Sequence, residues 1–301
     1  MTDATPKTKE PKGPDIGLRQ ARKLCQLPPG ERLDFIAEGL PIILASAQGF
    51  WQASQQLGDH PREARVLQGY AEEGAAKILI LMDAVRCPPK LLQKKLIRII
   101  GWFYNHLARL IYADAVAWKP MNLSDLRTYV DNHRRGHYLD GNAGEYILPN
   151  WAVYERESRL YADIEAHEGG VLGWNAPRSA FTGGIPAWSF QPPALRVAEA
   201  MQHLGLFPRA GLRATSEIWG SVEYSDTEDH HDAYQLTERL LERLHTEGLI
   251  LETATREHAS TLYHQWQIPM YNLDFNLIPV TMEELKAEQE REYWAMVGDP
   301  Y

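Results

Sequence analysis

The chain has 301 residues, 44% hydrophobic and 24% charged, enough apolar material for one large core or two smaller ones. Its formal net charge of −9 is uneven: residues 191–301 hold 8 basic against 19 acidic side chains, so that third should repel nucleic acid. No run reaches the roughly 18 apolar residues that span a bilayer. The two cysteines, Cys25 and Cys87, match no zinc or redox spacing and point to reduced thiols in a cytosol.

The opening MTDATPKTKEPKGPD has no apolar core behind its lysines, so residues 1–16 read as a disordered tail and not as a signal peptide or anchor. From Glu31 to about Leu57, apolar residues such as Leu33, Ile36, Leu40, Ile43 and Ala47 recur at three and four, the period of a helix with one buried face. Pro61 opens a second helix through Leu67, Gly74, Ile78 and Val85, and Pro88-Pro89 stops it. A third helix is expected from about Lys90 to Trp118. Three such helices with short connections predict an antiparallel bundle.

Shorter helices are expected from Ser124 to Arg135 and from Trp151 to His167, separated by the turn-rich YLDGNAGEYILPN. Glycines and prolines crowd 168–193, which divides a bundle at 17–190 from a C-terminal helical region at 191–301. There, helices are expected over Ala194–Leu206, Leu212–Val222 and His231–Thr246. LILETAT and STLYHQWQ then read as one small β-hairpin. Thr281 with Glu284 forms a capping box for a terminal helix. The fold class is therefore all-α, with that hairpin as its only expected sheet.

Two of the most apolar helices carry ionisable residues. In GYAEEGAAKILILM, Glu73 and Lys77 are four apart in the favourable order for a helical ion pair, with Glu72 beside them. Apolar residues surround Lys77, and an unpaired buried ammonium is so costly that a glutamate partner is close to obligatory. In RIIGWFYNHLARLIYADA, Asn105, His106 and Arg109 interrupt an apolar run. Facing Glu72 or Glu73, they would form a carboxylate, imidazole and guanidinium cluster of the kind that shifts pKa values.

These segments resemble the AbiV-type abortive-infection proteins, bacterial phage-defence proteins grouped with the HEPN-like helical superfamily. AEEGAAKILILMDA is similar to that family's paired-glutamate and lysine helix, and FYNHLARL to its histidine-bearing helix. In LPNWAVYERESRLYADIEAHEGGVLGWNAP, Arg156, Glu157, Tyr161 and Asp163 resemble an RExxLYxD-like pattern, with weaker likeness through LRVAEAMQHLGLFPRAGLRATSEIWGS and YNLDF. The resemblance spans roughly residues 30–280. It implies a HEPN-like bundle, a homodimer, no cofactor, and defence by arresting the infected cell through a phage protein or the translation and RNA machinery.

HEPN-like domains also include metal-independent ribonucleases, in which an arginine is followed, after four to six intervening residues, by a histidine acting as acid or base. Arg127 with His133, Arg196 with His203 and Arg239 with His245 offer that spacing. The first is best placed, beside Arg134, Arg135 and His137 in HRRGH, where cations could meet RNA phosphate. SDTEDHHDA lacks convergent ligand spacing and reads as an acidic helix start, so no metal is expected. Phosphate-loop and nucleophile-elbow motifs are missing as well.

A winged helix ending in the GLILETAT and STLYHQWQ hairpin would suggest DNA binding, but an acidic region is the wrong partner for phosphates. The main contest is between a ribonuclease and a protein that acts by binding. A ribonuclease needs the polar groups to converge in one basic cleft. A binding protein needs them paired inside the bundle, with an exposed aromatic surface elsewhere, expected at WQIPMYNLDF.

Overall fold

The computed structural model describes residues 22–141, 144, 146–166, 172–177, 190–225 and 230–297. The expected tail and residues 226–229 of SDTEDHHDA lie outside them. After a short 3-10 helix, Arg22–Gln26, come α1 (Pro29–Gln55), α2 (Pro61–Arg86), α3 (Pro89–Tyr104), α4 (His106–Ala115) and α5 (Leu123–His133). Strands β1 (His137–Asp140) and β2 (Tyr146–Pro149) precede α6 (Trp151–Leu160), and β3 (Asp163–Ala166) and β4 (Leu172–Asn175) follow it. The C-terminal part holds α7 (Pro193–His203), α8 (Arg209–Trp219), α9 (His230–Thr246), α10 (Arg256–Gln265) and α11 (Met282–Val297). The protein is mostly helical, with two small antiparallel strand pairs.

The bundle is centred on α2, whose residues from Ala75 to Arg86 are buried apart from Lys77. Helix α1 continues through Pro41 and lays Ile36, Leu40, Leu44 and Ala47 against it. The two helices come close because position 74 is glycine: a Cβ there would stand 3.0 Å from that of Ala47. By length and composition α1 is long and apolar enough to cross a bilayer, which the sequence reading had not expected of any segment. One apolar cluster takes in Leu40, Ile78 and Ile111 together with Leu195, Trp219, Leu262 and Phe275. The bundle and the C-terminal region therefore share a core.

Several elements differ from expectation. The third helix is two: the backbone at Asn105 turns extended, with φ −88° and ψ 122°, and its side chain accepts from the Ala108 amide at 3.2 Å, starting α4. An asparagine that can cap a new helix has overridden the apolar period. The helix from Trp151 stops at Leu160 and gives way to β3, and YLDGNAGEYILPN contains the β1–β2 hairpin, in which Tyr138 faces Leu148.

The expected hairpin after Gly248 does not form. Residues 256–265 are helix α10, capped by Thr255 and His258 in a reciprocal capping box, so no wing forms there. WQIPMYNLDF is not an exposed surface either: Trp266, Ile268, Met270, Tyr271, Leu273 and Phe275 are all buried. Phe275 packs edge-on against Trp102, with ring centroids 4.8 Å apart, and against Tyr112 at 4.9 Å.

Candidate functional site

Glu73 is the centre of the polar cluster, and its side chain is 6% exposed. Its Oε2 lies 2.9 Å from His106 Nδ1 and 3.2 Å from Arg109 Nη2, and its Oε1 accepts from Arg156 Nε at 2.8 Å. Helices α2, α4 and α6 thus meet at one buried carboxylate, with Arg109 also buried and His106 exposed at its rim. The break at Asn105 makes this possible: it places His106 at the first position of α4 and Arg109 one turn on, with Arg109 Nε also donating to the Asn105 carbonyl at 3.3 Å.

Arg156 is brought in by Asn150, a buried residue not singled out from the sequence. Its Oδ1 caps α6 by accepting from Val153 N at 3.1 Å. Its Nδ2 donates to the carbonyls of His133 and Arg135, at 2.8 and 2.7 Å. One amide therefore fixes α6 against the end of α5.

Lys77 does not take the place foreseen for it. The partners of Glu73 are His106, Arg109 and Arg156, while the Lys77 ammonium stands over the Phe103 ring, 4.9 Å from its centroid. Two guanidiniums and an imidazole have outcompeted the ammonium, which turns to a π face. Burial lowers the Lys77 pKa and the charge of Arg109 lowers it further, with Glu73 opposing both. Arg109 is lowered chiefly by burial, opposed by Glu73, and Arg156 adds repulsion. Glu72 pairs instead with Arg65, at 2.6 Å. Glu157 and Asp163 are exposed and stand apart from the cluster.

A cavity of about 280 Å³ adjoins the cluster, lined by Glu73 and Arg156 together with Arg65, Arg159, His133 and Trp151. His133 is held at both ring nitrogens: Nδ1 donates to the Tyr129 carbonyl at 2.8 Å, and Nε2 meets Asp114 Oδ2 at 3.3 Å. The hydrogen bond to Asp114 raises the His133 pKa against the effect of burial, and the same bond lowers that of Asp114. Tyr129 donates its hydroxyl to Asp114 and stacks on Trp118, with centroids 4.7 Å apart. An imidazole bonded on both sides and biased towards its cationic form is suited to holding charge and poorly placed to accept a proton.

The foreseen Arg127 and His133 pair is not assembled at the cavity, because Arg127 is not among its lining residues. The two are six apart on α5 and so point in different directions. Nor do Arg134 and Arg135 form a free basic surface. Arg134 pairs with Asp131 at 2.8 Å and with Asp274 at 3.3 Å, and Arg135 pairs bidentately with Glu288. Backbone bonds from Gly136 N to Ile278 O and from Ile278 N to Arg134 O, at 2.7 and 2.8 Å, stitch the same segment to the C-terminal region. His137 is exposed at the start of β1.

The sequence reading also missed a second buried ion pair. Arg86 bonds to Asp83, both almost wholly inaccessible, and lies between the rings of Trp219 and Trp266, 4.8 and 4.2 Å from their centroids. Asp83 also accepts from Tyr112 Oη at 2.9 Å and from Met270 N at 2.8 Å, and Arg86 donates to Gln267 O at 2.8 Å. The charges within LMDAVRC, in an otherwise apolar stretch, were the available signal. Among the described residues no group of His, Cys, Asp and Glu could hold a metal ion.

No family model matches the chain, and neither a curated protein nor a solved structure matches it.

Proposed function

We propose that this chain is an anti-bacteriophage abortive-infection protein of the cytoplasm that arrests the infected cell by binding a phage protein or the translation and RNA machinery, without cutting RNA. The supporting observation is the convergence at Glu73. The glutamate–lysine helix, the histidine-bearing helix and the RExxLY segment, which carry the resemblance to the AbiV-type family, supply Glu73, His106 with Arg109, and Arg156 to one contact. Binding is preferred to hydrolysis because the HRRGH arginines are neutralised by Asp131, Asp274 and Glu288, and because His133 has no ring nitrogen left for substrate.

A phage challenge of bacteria expressing the chain, with total RNA examined in parallel, tests this reading. Expression should lower plaque formation, Glu73→Ala should abolish the protection, and purified protein should leave RNA intact. Failure to protect against any of a broad phage panel would remove the defence reading. RNA cleavage that disappears in His133→Ala would replace binding by catalysis.

A further inference from the structure

The arginines at Glu73 and in HRRGH have carboxylate partners, whereas most of the cations on α3 have none. Between Ala84 and Ala113 the sequence holds six lysines and arginines and no aspartate or glutamate, in a chain whose net charge is −9. Three of the six, Lys90, Lys94 and Arg98, recur at intervals of four. They therefore form a row along one side of the helix, with about 6 Å along the axis between neighbours. Lys94 and Arg98 are exposed, and the Lys90 side chain is 71% exposed. Among the described residues one carboxylate pairs with the row, that of Glu223, 3.0 Å from Lys90. Arg98 donates to the Tyr271 carbonyl at 3.2 Å and lies over the Trp102 ring. Lys90 stands in the first turn of α3, which has no acidic residue, so the positive end of the helix dipole adds to the row. At physiological salt, charges beyond about 8 Å are largely screened, and distant acidic residues do not cancel it.

We propose that this face of α3 binds the backbone of a single-stranded nucleic acid, with Lys90, Lys94 and Arg98 on successive phosphates and Tyr104 stacking on a base. One helical turn is close to the separation of neighbouring phosphates in an extended strand. By helical spacing Gly101 and Tyr104 share the exposed arc with the row. Tyr104 is 44% exposed, and a Cβ at Gly101 would meet no atom within 4 Å, so a sugar can approach the helix there. An acidic peptide would meet the same cations but brings no base to lay on Tyr104. A bilayer would need an apolar face, and that of α3, with Leu96, Ile99, Ile100 and Trp102, is buried in the core. This inference does not rest on the defence reading, since binding by the purified chain is independent of phage protection.

Fluorescence anisotropy of a labelled dodecauridylate with the full chain, from about 50 to 200 mM salt, tests this. Affinity should fall with salt at a logarithmic slope of about −2, three phosphates at roughly 0.7 each. Lys94→Ala should weaken binding and bring the slope to about −1.4. Lys286→Ala, which removes an equal charge from an exposed position on α11, should change neither. Gly101→Glu places a carboxylate where a side chain has room, and should weaken binding about tenfold or more without lowering the unfolding midpoint. Tyr104→Ala should weaken it about fivefold or more through the lost stacking.

Absence of binding with about 300 μM chain at the lowest salt would overturn the proposal. So would a slope unchanged in Lys94→Ala, or undiminished binding in Gly101→Glu or Tyr104→Ala. Equal or tighter binding of a labelled dodecaglutamate would overturn it in favour of an acidic protein. Sedimentation of the chain with phosphatidylserine vesicles, without binding of the oligonucleotide, would overturn it in favour of a membrane.

Discussion

At the scale of single residues, Glu73 and Lys77 differ sharply although one helical turn separates them. Glu73 pairs with two guanidiniums that are largely out of water, so Glu73→Ala leaves both without that partner and should cost about 3–5 kcal/mol in a urea unfolding experiment. Lys77 is repelled by Arg109 and held by a ring, so Lys77→Met should change stability by less than about 1 kcal/mol. The sequence made the buried setting of both visible through the apolar run around them. It did not show which cation would win the carboxylate, because that depends on how α4 and α6 approach.

His133 and Asp114 give the molecule a pH dependence with a definite sign. The folded pKa of His133 lies above its ordinary 6.5, so its contribution to stability is complete below 6.5 and is lost as pH rises through the folded value. The folded pKa of Asp114 lies below its ordinary 3.8, so its contribution is present above 3.8 and fades as pH falls through the folded value. An NMR titration should find the His133 midpoint above 6.5, and Asp114→Asn should bring it down. A midpoint unmoved by that substitution would show the contact to be unimportant.

At the scale of elements, hydrophobic period located the long helices but not the points where the chain escapes them. Asn105 ends one helix and caps the next, and this small interruption turns His106 and Arg109 towards Glu73. Asn105→Ala should cost about 1 kcal/mol from the lost cap, measurable as a lower denaturation midpoint. It should also broaden the NMR signals of residues 106–109 as α4 frays. The hairpin expected after Gly248 fails for a related reason. Aromatic and β-branched residues in STLYHQWQ suggest a strand, but the capping box of Thr255 and His258 commits the backbone to α10 first. Short segments of ambiguous pattern are decided by such local bonds.

For the whole molecule, the sequence suggested a divide near residue 190, where composition changes, whereas burial runs across it. Asp83 accepts a hydrogen bond from Met270 N, Arg86 donates one to Gln267 O, and Phe275 packs on Trp102 and Tyr112. None of these contacts could be read from the linear pattern, since they join residues well over a hundred positions apart. Asp83→Asn should cost about 3 kcal/mol or more by leaving Arg86 buried without its counter-charge. A fragment ending at residue 190 should lack a cooperative thermal transition and bind a hydrophobic dye, because the C-terminal cover of α2 is missing. A sharp transition in that fragment would show that the bundle folds alone.

The clasp on Arg86 also bears on biosynthesis. A ribosome delivers the N-terminal charges long before Trp219, Trp266 and the 267–270 backbone that will enclose them. During translation the nascent bundle must carry an open ionic seam, and it can close only after residues 266–270 have emerged.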